Sequence, residues 1–259
     1  MVHALVDTHS HLDVAAFDGD RAEVLAAARA AGVTDHIVCA THAAAWSALE
    51  TVCARHPGLH PAYGLHPMFL AEHQPEDLQA LDERLGRKRP CAVGECGLDY
   101  YVPDLDPALQ QRYFEDQLAL ARAHGLPVIV HARRAVEAAL HAIRRVGGLR
   151  GVIHSYAGSL EQAQQFQRLG FLVGIGGPVT YPRAQRLRRV AAALPLDALL
   201  LETDAPDQPD AAWRGRRNEP VRLPVVLACV AALRGEPAAV VAAATRRNAI
   251  RLFSLPLPA

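Results

Sequence analysis

Short apolar runs alternate with longer amphipathic stretches from one end of this 259-residue sequence to the other, and that alternation leaves few folds open. The candidate strands are residues 3–7, 33–40, 59–64, 91–95, 127–131, 151–155, 171–176 and 197–203. Between them lie helical patterns at 19–31, 43–55, 75–87, 107–124, 134–146, 159–169 and 183–193, then a C-terminal pair at about 219–233 and 236–250. Every strand is followed by a helix, the signature of βαβ units. Eight such units predict an α/β fold, a TIM (β/α)8 barrel, with a doubly wound open sheet as the structural alternative. The punctuation agrees: Gly32, Gly125 and Gly170 stand at helix C-termini, and Ser159 is placed to cap the helix beginning "LEQAQQF". No linker or low-complexity stretch divides the chain, so residues 1–259 are expected to form a single barrel domain.

In such a barrel the chemistry lies at the C-terminal face, where strands give way to loops. His9 and His11 follow the first candidate strand, Glu95 and His131 close the fourth and fifth, His154 lies at the sixth, and Asp204 falls just past the eighth. Side chains two apart in an extended segment face the same way, so His9 and His11 can grip one ion. A lone histidine is more often a surface or hydrogen-bonded core residue than a ligand, but six donors at five strand ends favour a metal site. Imidazole and carboxylate donors suit a divalent ion such as Zn, Mn, Fe or Co. The expected arrangement has His9, His11 and Asp204 on one ion, His131 and His154 on a second, and Glu95 bridging. Such a site supports hydrolysis, with Asp204 placed to ligate and to orient or deprotonate the attacking water. The bland reading of Asp204 is a turn aspartate, since "TDAPD" is also turn chemistry. His42, His56, His60, His73, His124 and His141 read as surface residues. The only lysine, Lys88, precedes the fourth strand, the wrong end for a modified lysine bridging two ions, which favours the bridging glutamate.

Lys+Arg and Asp+Glu balance at 27 each, so no overall field attracts a polyanion or an anionic membrane, and any such site must be local. Five cysteines without a CxxC pair read as reduced, buried thiols. The opening residues show no signal-peptide pattern, and no apolar run reaches membrane-spanning length. A cytoplasmic, soluble monomer without membrane contact is expected.

The ordered set "DTHSHLD", "GLHP", "VGECGLDYY", "VIVHARR", "GVIHSYAGS" and "LLLETDAPD" resembles the TatD family of metal-dependent deoxyribonucleases, over nearly the whole chain. "GIGGPVTYPRA", "LLLETDAPDQP" and "RNEP" are most similar to its YjjV-like branch. The resemblance implies a two-metal phosphodiesterase, 3′–5′ exonuclease-like, acting on DNA, single strands included. It implies the same metal ligands, Glu95 and Asp204 as catalytic carboxylates, and Mg added to the candidate ions. His66 and Arg133 are implied to bind the scissile phosphate, the arginine through paired donors. Asp99 is expected to be structural or to fix a ligand histidine's tautomer. Cys96 and the arginine-rich loop 213–222 depart from the family pattern. Cys96 is expected to point away from Glu95, and the loop either supplies local positive potential through Arg214, Arg216 and Arg217 or is merely solvated. The run "RAQRLRR" at 183–189 reads as the wet face of a helix. Two other functions stay open: an amide or ester hydrolase, such as an aminoacyl-tRNA deacylase, on the same site, and a non-catalytic nucleic-acid-binding barrel, which the intact ligand set disfavours.

Overall fold

The computed structural model describes residues 2–88 and 90–256. Eight parallel strands follow one another in sheet order: β1 (Leu5–Ser10), β2 (Val33–Cys39), β3 (Leu59–Tyr63), β4 (Ala92–Asp99), β5 (Val128–Arg133), β6 (Gly151–Ile153), β7 (Phe171–Ile175) and β8 (Leu199–Leu201). Helices α1 (Arg21–Ala30), α2 (Trp46–Arg55), α3 (Glu76–Lys88), α4 (Pro107–His124), α5 (Val136–Val146), α6 (Leu160–Arg168) and α7 (Gln185–Ala193) connect them, and α8 (Leu223–Arg234) and α9 (Ala238–Phe253) complete the ring. This is the expected TIM barrel; the open doubly wound sheet, which would reverse strand order, is not observed. Ser159 caps α6 in a full capping box with Gln162, and Gly125 ends α4 in the left-handed region.

The seam between β1 and β8 is closed by the segment just beyond β8. Ser10 bridges to Ala205, the His11 N–H donates to the Ala205 carbonyl at 2.7 Å, and the Asp204 N–H donates to the His9 carbonyl at 2.9 Å. Buried Asp7 on β1 accepts the Thr203 N–H and hydroxyl at 2.8 and 2.6 Å. The helices pack the outer strand faces against one extended apolar layer. Inside the barrel a second cluster takes a side chain from every strand: Val6, Ile37, Ala62, Ala92, Ile129, Val152, Leu172 and Leu200. Leu252 and Phe253 of α9, with Leu255, belong to that inner cluster and so floor the barrel. Among the described residues no single helix is long and apolar enough to cross a membrane; α8 with its preceding turn and α9 pass only as a pair bent by 114°.

The strands differ from the expected ranges at their C-terminal ends. β4 runs on to Asp99 and β5 to Arg133, so Glu95 and His131 lie within strands rather than at their last residue. A register shift against β5 between Val93 and Cys96 re-aims the chain around Glu95. Two histidine expectations are corrected. His73 is buried, its ring 2.9 Å from the His66 carbonyl, because the short helical turn Pro67–Glu72 folds it back beneath the 65–66 segment. His60 lies on β3, half-buried, with its Nε2 3.0 Å from Asp35.

Candidate metal centre

The site is the layer directly above the apolar one. Because strand side chains alternate, the inward residue two places beyond Ile37, Ile129 and Val152 is Cys39, His131 and His154. On β7 the corresponding inward residue is Gly174, and a Cβ there would fall 2.2 Å from the Glu202 carboxylate. The seventh strand therefore contributes room, and Glu202, two beyond Leu200, fills it. β1 reaches the same level with His9 and His11, and β4 with Glu95.

Glu95 is the hub and is almost fully buried. Its Oε2 lies 3.1 Å from His9 Nε2 and 3.4 Å from His11 Nε2. Its Oε1 lies 2.8 Å from His154 Nε2, 3.0 Å from His131 Nδ1 and 3.0 Å from His66 Nε2. Asp204 Oδ1 is 3.5 Å from both His9 Nε2 and His11 Nε2. The six expected ligands are thus gathered around one carboxylate, with His9 and His11 on one of its oxygens and His131 and His154 on the other. Groups able to hold a metal ion include His9 with His11 and Glu95, His9 with His154 and Asp204, and His66 with Glu95 and His131.

The outer partners of the histidines decide which nitrogens are free to ligate. His11 Nδ1 is 2.9 Å from the Cys39 carbonyl, which can only accept, so Nε2 of the neutral ring keeps its lone pair. His131 Nε2 meets Asp99 Oδ2 at 2.9 Å, which leaves Nδ1 toward Glu95 and gives Asp99 the tautomer-fixing position. His9 Nδ1 lies 3.5 Å from the Cys39 thiol, and His154 Nδ1 3.8 Å from Glu202. His66 differs: its Nδ1 accepts the Met68 N–H at 3.1 Å, so the neutral ring carries its proton on Nε2. His66 is therefore a hydrogen-bond donor to Glu95 in its neutral form, whereas His11 and His131, when neutral, turn lone pairs toward the cluster. Nitrogen and oxygen donors converging this closely, with the outer nitrogens of His11 and His131 hydrogen-bonded, fit divalent cations.

Electrostatics point the same way. Burial pushes the Glu95 carboxyl up, but the surrounding histidines, His66, His154 and His9 foremost, hold it well below its ordinary value. Asp204 is likewise held down to about 2 against burial, by the hydrogen bond from His11 and by His154. Burial would lower His154, yet Glu95 and then Asp204 raise it to about 9. His11 and His131 also rise, while burial and then His154 lower His9. The carboxylates thus favour the protonated forms of His11, His131 and His154, whose charge offsets theirs. Divalent ions would displace those protons.

A cavity of about 770 Å³ opens onto this cluster, lined by His11, His66, Glu95, His131, Arg133 and Asp204 among others. Arg133 stands at its rim, exposed, with its guanidinium 3.6 Å from the Tyr101 ring centre, and Arg134 lies over the other reach of that ring at 4.7 Å. Cys96 packs in the core with its Sγ toward the Ile129 carbonyl, away from the cavity as expected.

Three further residues shape the site without having been singled out by sequence. Glu202 backs His154 and accepts the Ser155 N–H. Gln208 donates to Asp204 Oδ2 and receives the Ser155 hydroxyl at 2.7 Å. Asn218 donates to the carbonyls of Thr203 and Asp207, each at 2.8 Å, fastening the loop to the ligand segment. The signal was present as "ETDAPDQ" and "RNEP", but the roles need the closed barrel. Ser155, Asp204 and Gln208 have φ of 44°, 60° and 49°, a left-handed strain that recurs at functional walls. The arginine-rich loop is partly tied down. Arg217 pairs with Asp20 and Glu219, and Arg222 with buried Asp210, while Arg216 stacks on Trp213. Arg214 and Arg216 are exposed with no carboxylate partner among the described residues, so the charge of the loop divides between bracing and open positive potential.

A sequence model of the TatD-related DNase family matches residues 6–254. The chain is 41% identical over 259 residues to YjjV, a metal-dependent hydrolase of Escherichia coli K12, covering 99% of this chain and 100% of that one. The crystal structure of that protein, a TatD homologue, superposes with a TM-score of 0.94 at 40% identity, over 99% of this chain and 100% of that one. The 3′-5′ ssDNA/RNA exonuclease TatD of Cronobacter sakazakii is 38% identical over 247 residues, 92% of this chain and 93% of its own.

Proposed function

This chain belongs to the TatD-related DNase family and is a metal-dependent hydrolase; on that premise we propose that it cleaves phosphodiester bonds in single-stranded DNA from the 3′ end, using two divalent ions that the residues around Glu95 would hold. The observation that carries the reading is the crowding of five histidine nitrogens within 3.4 Å of one buried carboxylate, a charge arrangement suited to cations. His9, His11 and Asp204 would hold one ion and His131 and His154 the other. Ions bound there supply Lewis acidity, acidifying water and neutralising charge on the oxygens of a diester.

The chain's own residues do the rest. Asp204, its second oxygen fixed by Gln208, is oriented to take a proton from the attacking water at Oδ1. His66, lowered to about 4 chiefly by burial, stays neutral, and its Nε2–H, which donates to Glu95 here, would become available to a diester oxygen once cations engage that carboxylate. Arg133 presents a guanidinium fork to the phosphate at the rim. Asp99 keeps His131 in the ligating tautomer. The five cysteines are all free, which suits a reducing cytoplasm.

The test is to strip the protein with chelator, restore Mg, Mn or Zn singly, and offer single-stranded DNA, duplex DNA and model carboxylic esters. Metal-dependent release of nucleotides from single strands is expected, falling about 10²–10⁴-fold in Asp204→Asn. Faster turnover of the esters than of any phosphodiester would overturn the reading.

A further inference from the structure

The basic run at 183–189 takes no part in the chemistry described above. Arg183, just before α7, and Arg186, in its first turn, are exposed, and among the described residues neither guanidinium has a carboxylate partner. Arg183 rests 5.7 Å from the Tyr181 ring centre. Both arginines line a second cavity of about 450 Å³, whose walls include Pro178 and Leu187. Ser155, Ala157 and Gln208 line this cavity and the metal cavity alike, so the two abut across a shared wall. α7 starts with no side-chain cap, so the N–H groups of its first turn add to the positive potential there. The contrast with Arg217 and Arg222 is direct: those guanidinia are already held by carboxylates, and these are not.

We infer that this second cavity is a subsite for the neighbouring nucleotide of a single-stranded nucleic acid, with Arg183 and Arg186 gripping its phosphate and Pro178 and Leu187 receiving its sugar and base. The inference rests on the phosphodiesterase reading. Guanidinium forks match phosphate oxygens, and the volume suits a ligand the size of one nucleotide rather than a duplex. Arg133, 4.0 Å from Asp99, ends β5 and the arginine pair follows β7, so cations flank Ser155, which follows β6, along one arc of the mouth. The shared wall also carries the hydrogen-bond chain from Ser155 through Gln208 to Asp204. A nucleotide seated against that wall is in register with the residue that faces the scissile bond.

The experiment uses the metal-loaded full chain and its Arg183→Ala/Arg186→Ala variant, with a thymidine octanucleotide and bis(p-nitrophenyl) phosphate as substrates. The small diester reaches only the metal cavity. The variant is expected to lose kcat/KM on the octamer about tenfold more than on the small diester, the size of one charge-assisted hydrogen bond. Binding of a labelled octamer, read by anisotropy, should weaken in parallel, with a salt slope shallower by about 0.7 for each phosphate no longer neutralised. Arg183→Lys/Arg186→Lys should recover part of the affinity. Equal losses on both substrates, or unchanged octamer binding, would overturn the subsite. If the wild type cleaves neither substrate with any ion, the phosphodiesterase reading fails, and the anisotropy comparison still decides the subsite.

Discussion

The two ends of the barrel interior are built from the same strands and obey opposite rules. The lower layer, Val6, Ile37, Ile129, Val152, Leu172 and Leu200 over the floor of Leu252 and Phe253, is apolar and complete in itself. The upper layer, one strand repeat higher, packs Glu95, Glu202 and Asp204 among five histidines, an arrangement that is costly without protons or cations to balance it. Ile129 and His131 on β5, or Val152 on β6 and His154 just past it, stand two residues apart and serve different ends. The lower layer supplies stability that needs no ligand, and the upper layer spends part of it to hold charge in place.

The largest expected effect tests the floor. Phe253→Ala should destabilise the fold by about 3–5 kcal/mol, read as a shift in urea midpoint, while folded protein retains its metal content. Loss of metal without loss of stability would break the division between the layers. Next in size is Asp99→Asn, which weakens the anchor on His131. Calorimetric titration of chelator-treated protein should show one class of metal site weakened about 10–100-fold with the other kept; uniform weakening would mean that Asp99 supports the whole cluster.

The smallest effect is in pH. His154 is raised to about 9 from 6.5, so the stability its protonated form lends is fully present below pH 6.5 and lost as pH rises through 9. Glu202, pushed up to about 8 by burial, adds a fall over the range from 4.5 to 8 as its ionisation is withheld in the fold. The melting temperature of metal-free protein should therefore decline between pH 6.5 and 9, and added divalent ion should flatten that decline. The buried thiols of the inner cluster, raised by burial, add to the fall only toward pH 9, so a flat profile without metal between pH 6.5 and 8 would remove the charge balance assigned to the upper layer.

Much of this was legible in the sequence because it is local. Each strand and helix announces itself by its own period, and His9, His11, Glu95, His131, His154 and Asp204 are visible as polar residues where apolar runs stop. What could not be read depends on closure. The continuation of β4 to Asp99 follows from pairing with β5. The role of Glu202 follows from a missing side chain on a different strand, at Gly174. Asn218 matters only because the chain returns to Thr203 and Asp207. Arg217 looked like free charge because Asp20, its partner, is distant in sequence.

The floor has a consequence for how the molecule is made. Its plugging side chains, Leu252, Phe253 and Leu255, are among the last of the described residues to leave a ribosome, while the strands they seal are finished by Leu201. A nascent chain halted after α8 would hold all eight strands around an unsealed base. Synthesis of α9 is thus the step at which the barrel becomes dry, and chaperone contacts with the growing chain should persist until it emerges.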